Sequence, residues 1–264
     1  MSKGSGQREA PVRFDETGGV LTVTLERDSA LNAVTAPMLQ GIERQLAHRA
    51  GDEELRLVVL RGAGRGFCSG ADLGSDGASQ DPDVAVLEAG NDVVTAILGY
   101  PVPVVAVVHG PVAGIGVSLA LACDLVLARE DAYFLLAFTR IGLMPDGGAT
   151  ELVAASIGRA RAMRMALLAE KLPAREALEA GLVSHVFAES EFDAGVADLL
   201  TALAAGPTRA YRATRQAINA ATLPGITDAF AREHTGQGAL LSSADFAEGV
   251  TAFRERRPAR FTGA

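Results

Sequence analysis

A chain of 264 residues that is 48% hydrophobic is long enough for one large α/β core, or for one domain with an appendage. Its 32 acidic and 24 basic residues give a net charge of −8, which argues against nucleic-acid binding by bulk electrostatics and leaves room for a local basic pocket. Two cysteines, Cys68 and Cys123, show neither metal-ligand spacing nor disulfide density, so a reducing, cytoplasmic location is expected.

Residues 1–10 read as a loose polar tail without the apolar segment of a signal peptide. Val12–Phe14 and Val20–Leu25 alternate around Thr17-Gly18-Gly19, which predicts a hairpin. Met38, Leu39, Ile42 and Leu46 recur at helical spacing between Pro37 and Ala50. Leu57–Leu60 is a continuous apolar run, the pattern of a buried strand, and a helix is expected within Pro82–Leu98. Val104–Val108 repeats the strand pattern, followed by a helix over Val117–Ala122 and a strand over Leu125–Ala128. The apolar stretch Val102–Val108 is too short to span a bilayer, so no membrane partner is expected.

Alternating strands and helices with valine-rich interiors predict an α/β fold with largely parallel pairing. After Ala149 the pattern becomes helical: Arg159–Ala169, Ala174–Ala180, Ala194–Ala205, Arg209–Ala221 and Ala244–Arg254. Gly206-Pro207 and Leu223-Pro224-Gly225 interrupt it. The expected organisation is a tail over 1–10, an α/β core over 11–200 and a helical region over 201–264.

Two glycine-rich turns, Gly66–Leu73 and His109–Gly116, each follow a buried strand that ends abruptly. Facing one another, they would present backbone N–H groups to a single oxygen and form an oxyanion hole. Gly114-Ile115-Gly116 leads into a helix, whose first N–H groups lack internal partners and sit at the positive end of its dipole. A third turn, Met144-Pro145-Asp146-Gly147-Gly148, offers one carboxylate. Gly62-Ala63-Gly64-Arg65-Gly66 resembles a dinucleotide fingerprint only loosely, because its spacing is wrong and no amphipathic helix follows. The residues therefore point to an enzyme acting next to a carbonyl.

Several motifs in order and spacing carry a family resemblance: Gly70-Ala71-Asp72-Leu73, Gly110–Gly116, Cys123-Asp124, Ile141–Gly148, Ala180–Val183 and the ending Asp245–Pro258. Over Val12–Phe261 the chain resembles the crotonase superfamily of enoyl-CoA hydratases and isomerases. The resemblance implies a ClpP/crotonase-like spiral of ββα units with a C-terminal helical trimerisation region, assembled as homotrimers or hexamers. It implies an acyl-CoA thioester substrate and no separate cofactor, coenzyme A being part of that substrate. Carried over by position, the oxyanion donors fall on the N–H groups of Ala71 and Ile115, the second replacing the usual glycine. Backbone around Ser69, Ala71 and Leu73 would face the adenine end of CoA, and Arg27 matches a CoA-contacting position, although Asp28 replaces the proline usual after it. Phe253 and Arg256 match positions that reach CoA from a neighbouring subunit.

The departures decide the expected chemistry. The two glutamates of family hydratases are replaced by Ser118 and Phe138, neither of which supplies a carboxylate. Some members shift double bonds with a single acid in the Pro145–Gly148 type of turn, where Asp146 stands. The expected activity is therefore a 3-enoyl-CoA to 2-enoyl-CoA isomerisation, with Asp146 moving the proton and burial beside Phe138, Leu143 and Met144 raising its pKa. Hydration through a different acid and a catalytically silent acyl-CoA binder are the alternatives.

Asp72 and Asp124 are expected to bond backbone at strand ends. Ser118 and His109 lack a G-x-S-x-G elbow and a third partner, which argues against a nucleophilic triad. His48, His185 and His234 have no ligand partner at metal spacing, so no metal is expected. Gly74–Pro82 is a candidate substrate loop.

Overall fold

The computed structural model describes residues 11–73 and 84–264. The expected tail 1–10 and the candidate loop Gly74–Pro82 lie outside the described residues.

The first half alternates strands and helices: β1 (Val12–Thr17), β2 (Val20–Leu25), α1 (Ala36–Arg49), β3 (Leu57–Gly62), α2 (Val84–Leu98), β4 (Val104–Val108), β5 (Pro111–Ala113), α3 (Ile115–Ala122), β6 (Leu125–Arg129) and β7 (Tyr133–Leu135). A 3-10 segment (Ala137–Ile141) leads to α4 (Ala149–Ile157), α5 (Arg159–Leu168), β8 (Leu172–Pro173), α6 (Ala174–Ala180) and β9 (His185–Phe187). Helices α7 (Phe192–Ala204), α8 (Thr208–Thr222), α9 (Ile226–Leu241) and α10 (Ala244–Glu255) complete the described chain.

Gly18 and Gly19 both adopt positive φ, the conformation of a tight two-residue hairpin turn, and join β1 to β2 in antiparallel register. Every other pairing in the six-stranded sheet is parallel, in the order β1-β2-β3-β4-β6-β9. A smaller sheet, β5-β7-β8, is continued by isolated parallel bridges from Cys68 to Val112 and from Val34 to Ala71. Each circuit of the chain thus lays one long strand in the large sheet and a short one in the second layer before a helix returns it. That is the ββα spiral expected from the resemblance.

The buried-strand pattern has a direct cause. Val58 and Leu60 pack with α1, α2 and α3 on one face of the sheet, while Leu57, Val59, Val105 and Val107 pack against Phe192 and Val196 of α7 on the other. With both faces covered, the strands carry no polar alternation.

Helix α8 is fastened to the strand ends by Arg215, which is 8% exposed. Its guanidinium donates to Asp124 Oδ1 at 2.5 Å, to the Ile97 carbonyl at 3.0 Å and to the Tyr100 carbonyl. Asp124 Oδ2 accepts from the Val104 N–H at 2.7 Å, the backbone bond expected of it.

Candidate active site

Main-chain bonds stitch the two glycine-rich turns together. Phe67 N–H donates to the His109 carbonyl at 2.9 Å, Cys68 N–H to the Pro111 carbonyl at 3.1 Å, and Ala113 N–H to the Cys68 carbonyl at 2.8 Å. On the outer side, Val34 N–H donates to the Gly70 carbonyl at 2.9 Å and Asp72 N–H to the Val34 carbonyl at 2.9 Å. The Gly70–Ala71 peptide is trans, so with its carbonyl turned toward Val34 its N–H must point the opposite way, away from Val34.

Gly114 (φ 55°, ψ −130°) occupies a conformation closed to residues with a Cβ and turns the second loop into α3. The helix begins at Ile115, two residues earlier than the periodicity predicts, so the Ile115 N–H has no acceptor within its own helix. The loops touch where they bend: a Cβ on Gly114 would stand 3.2 Å from Gly70 Cα and 3.9 Å from the Phe138 ring.

The third turn sits against the start of α3. Gly147 (φ 66°) brings its backbone against the Ile115 side chain, and the Ser118 hydroxyl donates to the Asp146 carbonyl at 2.8 Å. Asp146 is partly buried, and its Oδ2 accepts from Gln237 Nε2 at 2.7 Å. Its carboxyl is pushed up to about 7, chiefly by burial. The Gln237 bond opposes that rise, and the charge of Glu233 adds to it.

Gln237 and Glu233 escaped the sequence reading, as did the bounds of α9, which lies unassigned within the expected helical region 201–264. Gln237 grips Met144 on both backbone edges, accepting from its N–H at 3.2 Å and donating to its carbonyl at 3.0 Å. Glu233 is 0% exposed and accepts from Gly148 N–H at 2.7 Å, Thr150 N–H at 2.9 Å and Thr150 Oγ1 at 2.5 Å. It is an N-terminal cap for α4 supplied by a distant helix. Burial raises its pKa, against the pull of those bonds.

The other expected positions are held by protein partners. Arg27 donates to Asp72 Oδ2 at 2.8 Å and to the Ala33 carbonyl at 2.6 Å, so Asp72 pairs with a guanidinium across the first loop. The Ser69 hydroxyl donates to the Ala30 carbonyl at 3.1 Å, and the Leu73 carbonyl accepts from Arg254 of α10 at 2.9 Å. Helix α10 packs on the 3-10 segment, with Gly249 against Ile141. From the end of α10, Phe253 and Arg256 project into solvent.

His109 Nε2 lies 2.8 Å from the Gly64 carbonyl while Ser118 is spent on Asp146, so the two form no nucleophilic pair. Cys68 and Cys123 are buried, which pushes both thiols up and leaves them poor nucleophiles. Among the described residues no cluster of three or more His, Cys, Asp or Glu is placed to hold a metal, and no helix is long and apolar enough to cross a membrane. A cavity of about 600 Å³ lies elsewhere, between Leu98, Asp124, Leu152 and Arg215.

Comparison with known proteins adds to this geometry. The profile of the family described as enoyl-CoA hydratase/isomerase matches residues 15–264. The chain is 42% identical to a probable enoyl-CoA hydratase of Rhodobacter capsulatus, covering 96% of this chain and 98% of that one. It is 37% identical to the 1,2-epoxyphenylacetyl-CoA isomerase of Escherichia coli, over 93% and 95%. Among solved structures, an enoyl-CoA hydratase of Mycobacterium avium subsp. paratuberculosis superposes with a TM-score of 0.90 at 50% identity, covering 96% and 99%.

Proposed function

The chain belongs to the enoyl-CoA hydratase/isomerase family, and from that premise we propose that it moves the double bond of an acyl-CoA from the 3,4 to the 2,3 position with Asp146 as its single acid–base group. The N–H groups of Ala71 and Ile115 hold the thioester oxygen in this reading, and stabilise the dienolate formed when Asp146 takes a proton from C2. Return of that proton to C4 completes the shift without a second acid.

The observation that carries the reading is the state of Asp146. A carboxyl pushed up to about 7 is part protonated near neutral pH, so it can both accept and return a proton. Its turn is seated on the first turn of α3, beside the second donor. Neither position that holds a glutamate in family hydratases carries an acid: Ser118 is committed to the Asp146 carbonyl and Phe138 supplies an apolar ring. The Escherichia coli relative, by its name an isomerase of an acyl-CoA, supports isomerisation.

The hydratase names of the Rhodobacter capsulatus and Mycobacterium avium proteins favour a second reading, hydration of a 2-enoyl-CoA. In either case coenzyme A enters as part of the substrate, held along Arg27, Ser69 and Leu73, with Phe253 and Arg256 at its outer end. A homotrimer or hexamer built through the C-terminal helices, working in the cytoplasm, belongs to the same proposal.

Purified protein incubated with 3-enoyl- and 2-enoyl-CoA separates these readings. The 3-enoyl thioester is expected to become 2-enoyl-CoA without uptake of water. Formation of 3-hydroxyacyl-CoA from the 2-enoyl thioester assigns hydration instead, and calorimetric binding without turnover of either assigns an acyl-CoA binder.

A further inference from the structure

We propose that Gln237 is a positioning residue that ties up Oδ2 of Asp146 and leaves Oδ1 as the atom that takes and returns the proton. The inference rests on the reading of Asp146 as the acid–base group and adds which of its oxygens works and what holds it. Oδ2 lies 2.7 Å from the Gln237 amide nitrogen, whereas Oδ1 makes no hydrogen bond to a described residue. The proton leaving C2 therefore goes to Oδ1 as the C–H pair forms C1=C2 and the carbonyl π pair moves to the thioester oxygen. When that oxygen's pair re-forms the carbonyl, C1=C2 shifts to C2=C3 and the C3=C4 pair takes the same proton from Oδ1 at C4, restoring the carboxylate.

An amide is the one uncharged side-chain end suited to this position. Met144 presents both an N–H and a carbonyl, and Gln237 answers the first with Oε1 and the second with Nε2, which also serves Asp146. One helical turn earlier on the same face, Glu233 holds Gly148 and Thr150. Helix α9 thus grips the catalytic turn on both sides of Asp146. Among the groups on packed elements, α9 offers Gln237 and the ionisable Glu233, and α3 the Ser118 hydroxyl. On α4, Glu151 is turned to the Gly225 N–H.

A purely structural glutamine would change stability and leave the proton affinity of Asp146 alone. The test is a carbon-13 NMR titration of the Asp146 carboxyl, assigned by the signal lost in Asp146→Asn, in the intact wild-type chain and in Gln237→Met, Gln237→Glu and Glu233→Gln. Gln237→Met removes the donor to the carboxylate and is expected to raise the Asp146 midpoint by about one pH unit. Gln237→Glu, which keeps the size and adds a charge, should raise it further, while Glu233→Gln should lower it. The basic-form limb of the isomerisation pH profile should follow each shift. A midpoint that stays put in both Gln237 variants while their melting temperatures fall overturns the proposal. The shifts without any wild-type isomerisation would sink the functional reading and leave Gln237 as the residue that sets Asp146.

Discussion

Gly114 and Gly70 meet backbone to backbone, so closely that a Cβ on the first would stand 3.2 Å from the Cα of the second. Each immediately precedes one of the proposed oxyanion donors, so their contact limits how far apart Ala71 and Ile115 can lie. Gly114→Ala should therefore strain the loop by about 1–3 kcal/mol and push the donors apart. The expected result is a fall in kcat of about 10²–10³-fold with a smaller change in KM, measured as the rate of 2-enoyl-CoA formation. An unaffected kcat would detach this contact from catalysis.

Asp146→Asn preserves the size and the oxygen that faces Gln237, yet cannot accept a proton at neutral pH. Isomerisation should fall by about 10²–10⁴-fold, whereas the calorimetric affinity for an acyl-CoA should change little. Full turnover in this variant would remove Asp146 from the mechanism.

The same carboxyl should make stability depend on pH. Its pKa rises from an ordinary 3.8 to about 7 on folding, so between those values the folded chain binds the extra proton. Stability from this group is complete below about pH 4, declines as pH rises through 7, and then levels off, a change of at most about 4 kcal/mol. Urea denaturation at pH 5 and pH 8 should show wild type losing stability toward pH 8 and Asp146→Asn losing less. Asp146→Asn is thus expected to be the more stable of the two under mildly alkaline conditions.

Arg215→Met tests the fastening of α8. The substitution keeps the apolar stem but abandons Asp124 and two backbone carbonyls in a mostly buried place. Loss of one partner of such a pair costs about 3–5 kcal/mol, which thermal melting should register as a clear drop in Tm. Replacing both partners, Arg215→Met with Asp124→Asn, should recover part of it.

Most of the architecture was legible because its signals are local. Apolar runs at Leu57–Leu60 and Val104–Val108 marked the buried strands, and glycines after them marked the turns that carry Ala71 and Ile115. Asp146 was visible through its Pro-Asp-Gly-Gly setting. Helix α9 was not, and the reason is physical: its inward stripe is Ala229, Glu233 and Gln237, at four-residue spacing but polar at two of three positions. Hydrophobic periodicity cannot find a helix whose buried face is made of hydrogen-bonding groups. Strands of two or three residues, such as β7 and β8, are too short to show any period, and the pairing of Asp72 with Arg27 joins positions 45 apart.

Gln237 lies 91 residues downstream of Asp146. Synthesis through Gly148 delivers both glycine-rich loops, Asp146 and the Ser118 hydroxyl that holds its carbonyl, but not the α9 amide that holds its carboxylate. On the role proposed for Gln237, a product shortened before Ile226 is expected to be inactive even where its sheet assembles, because the amide that holds the carboxylate arrives only with α9.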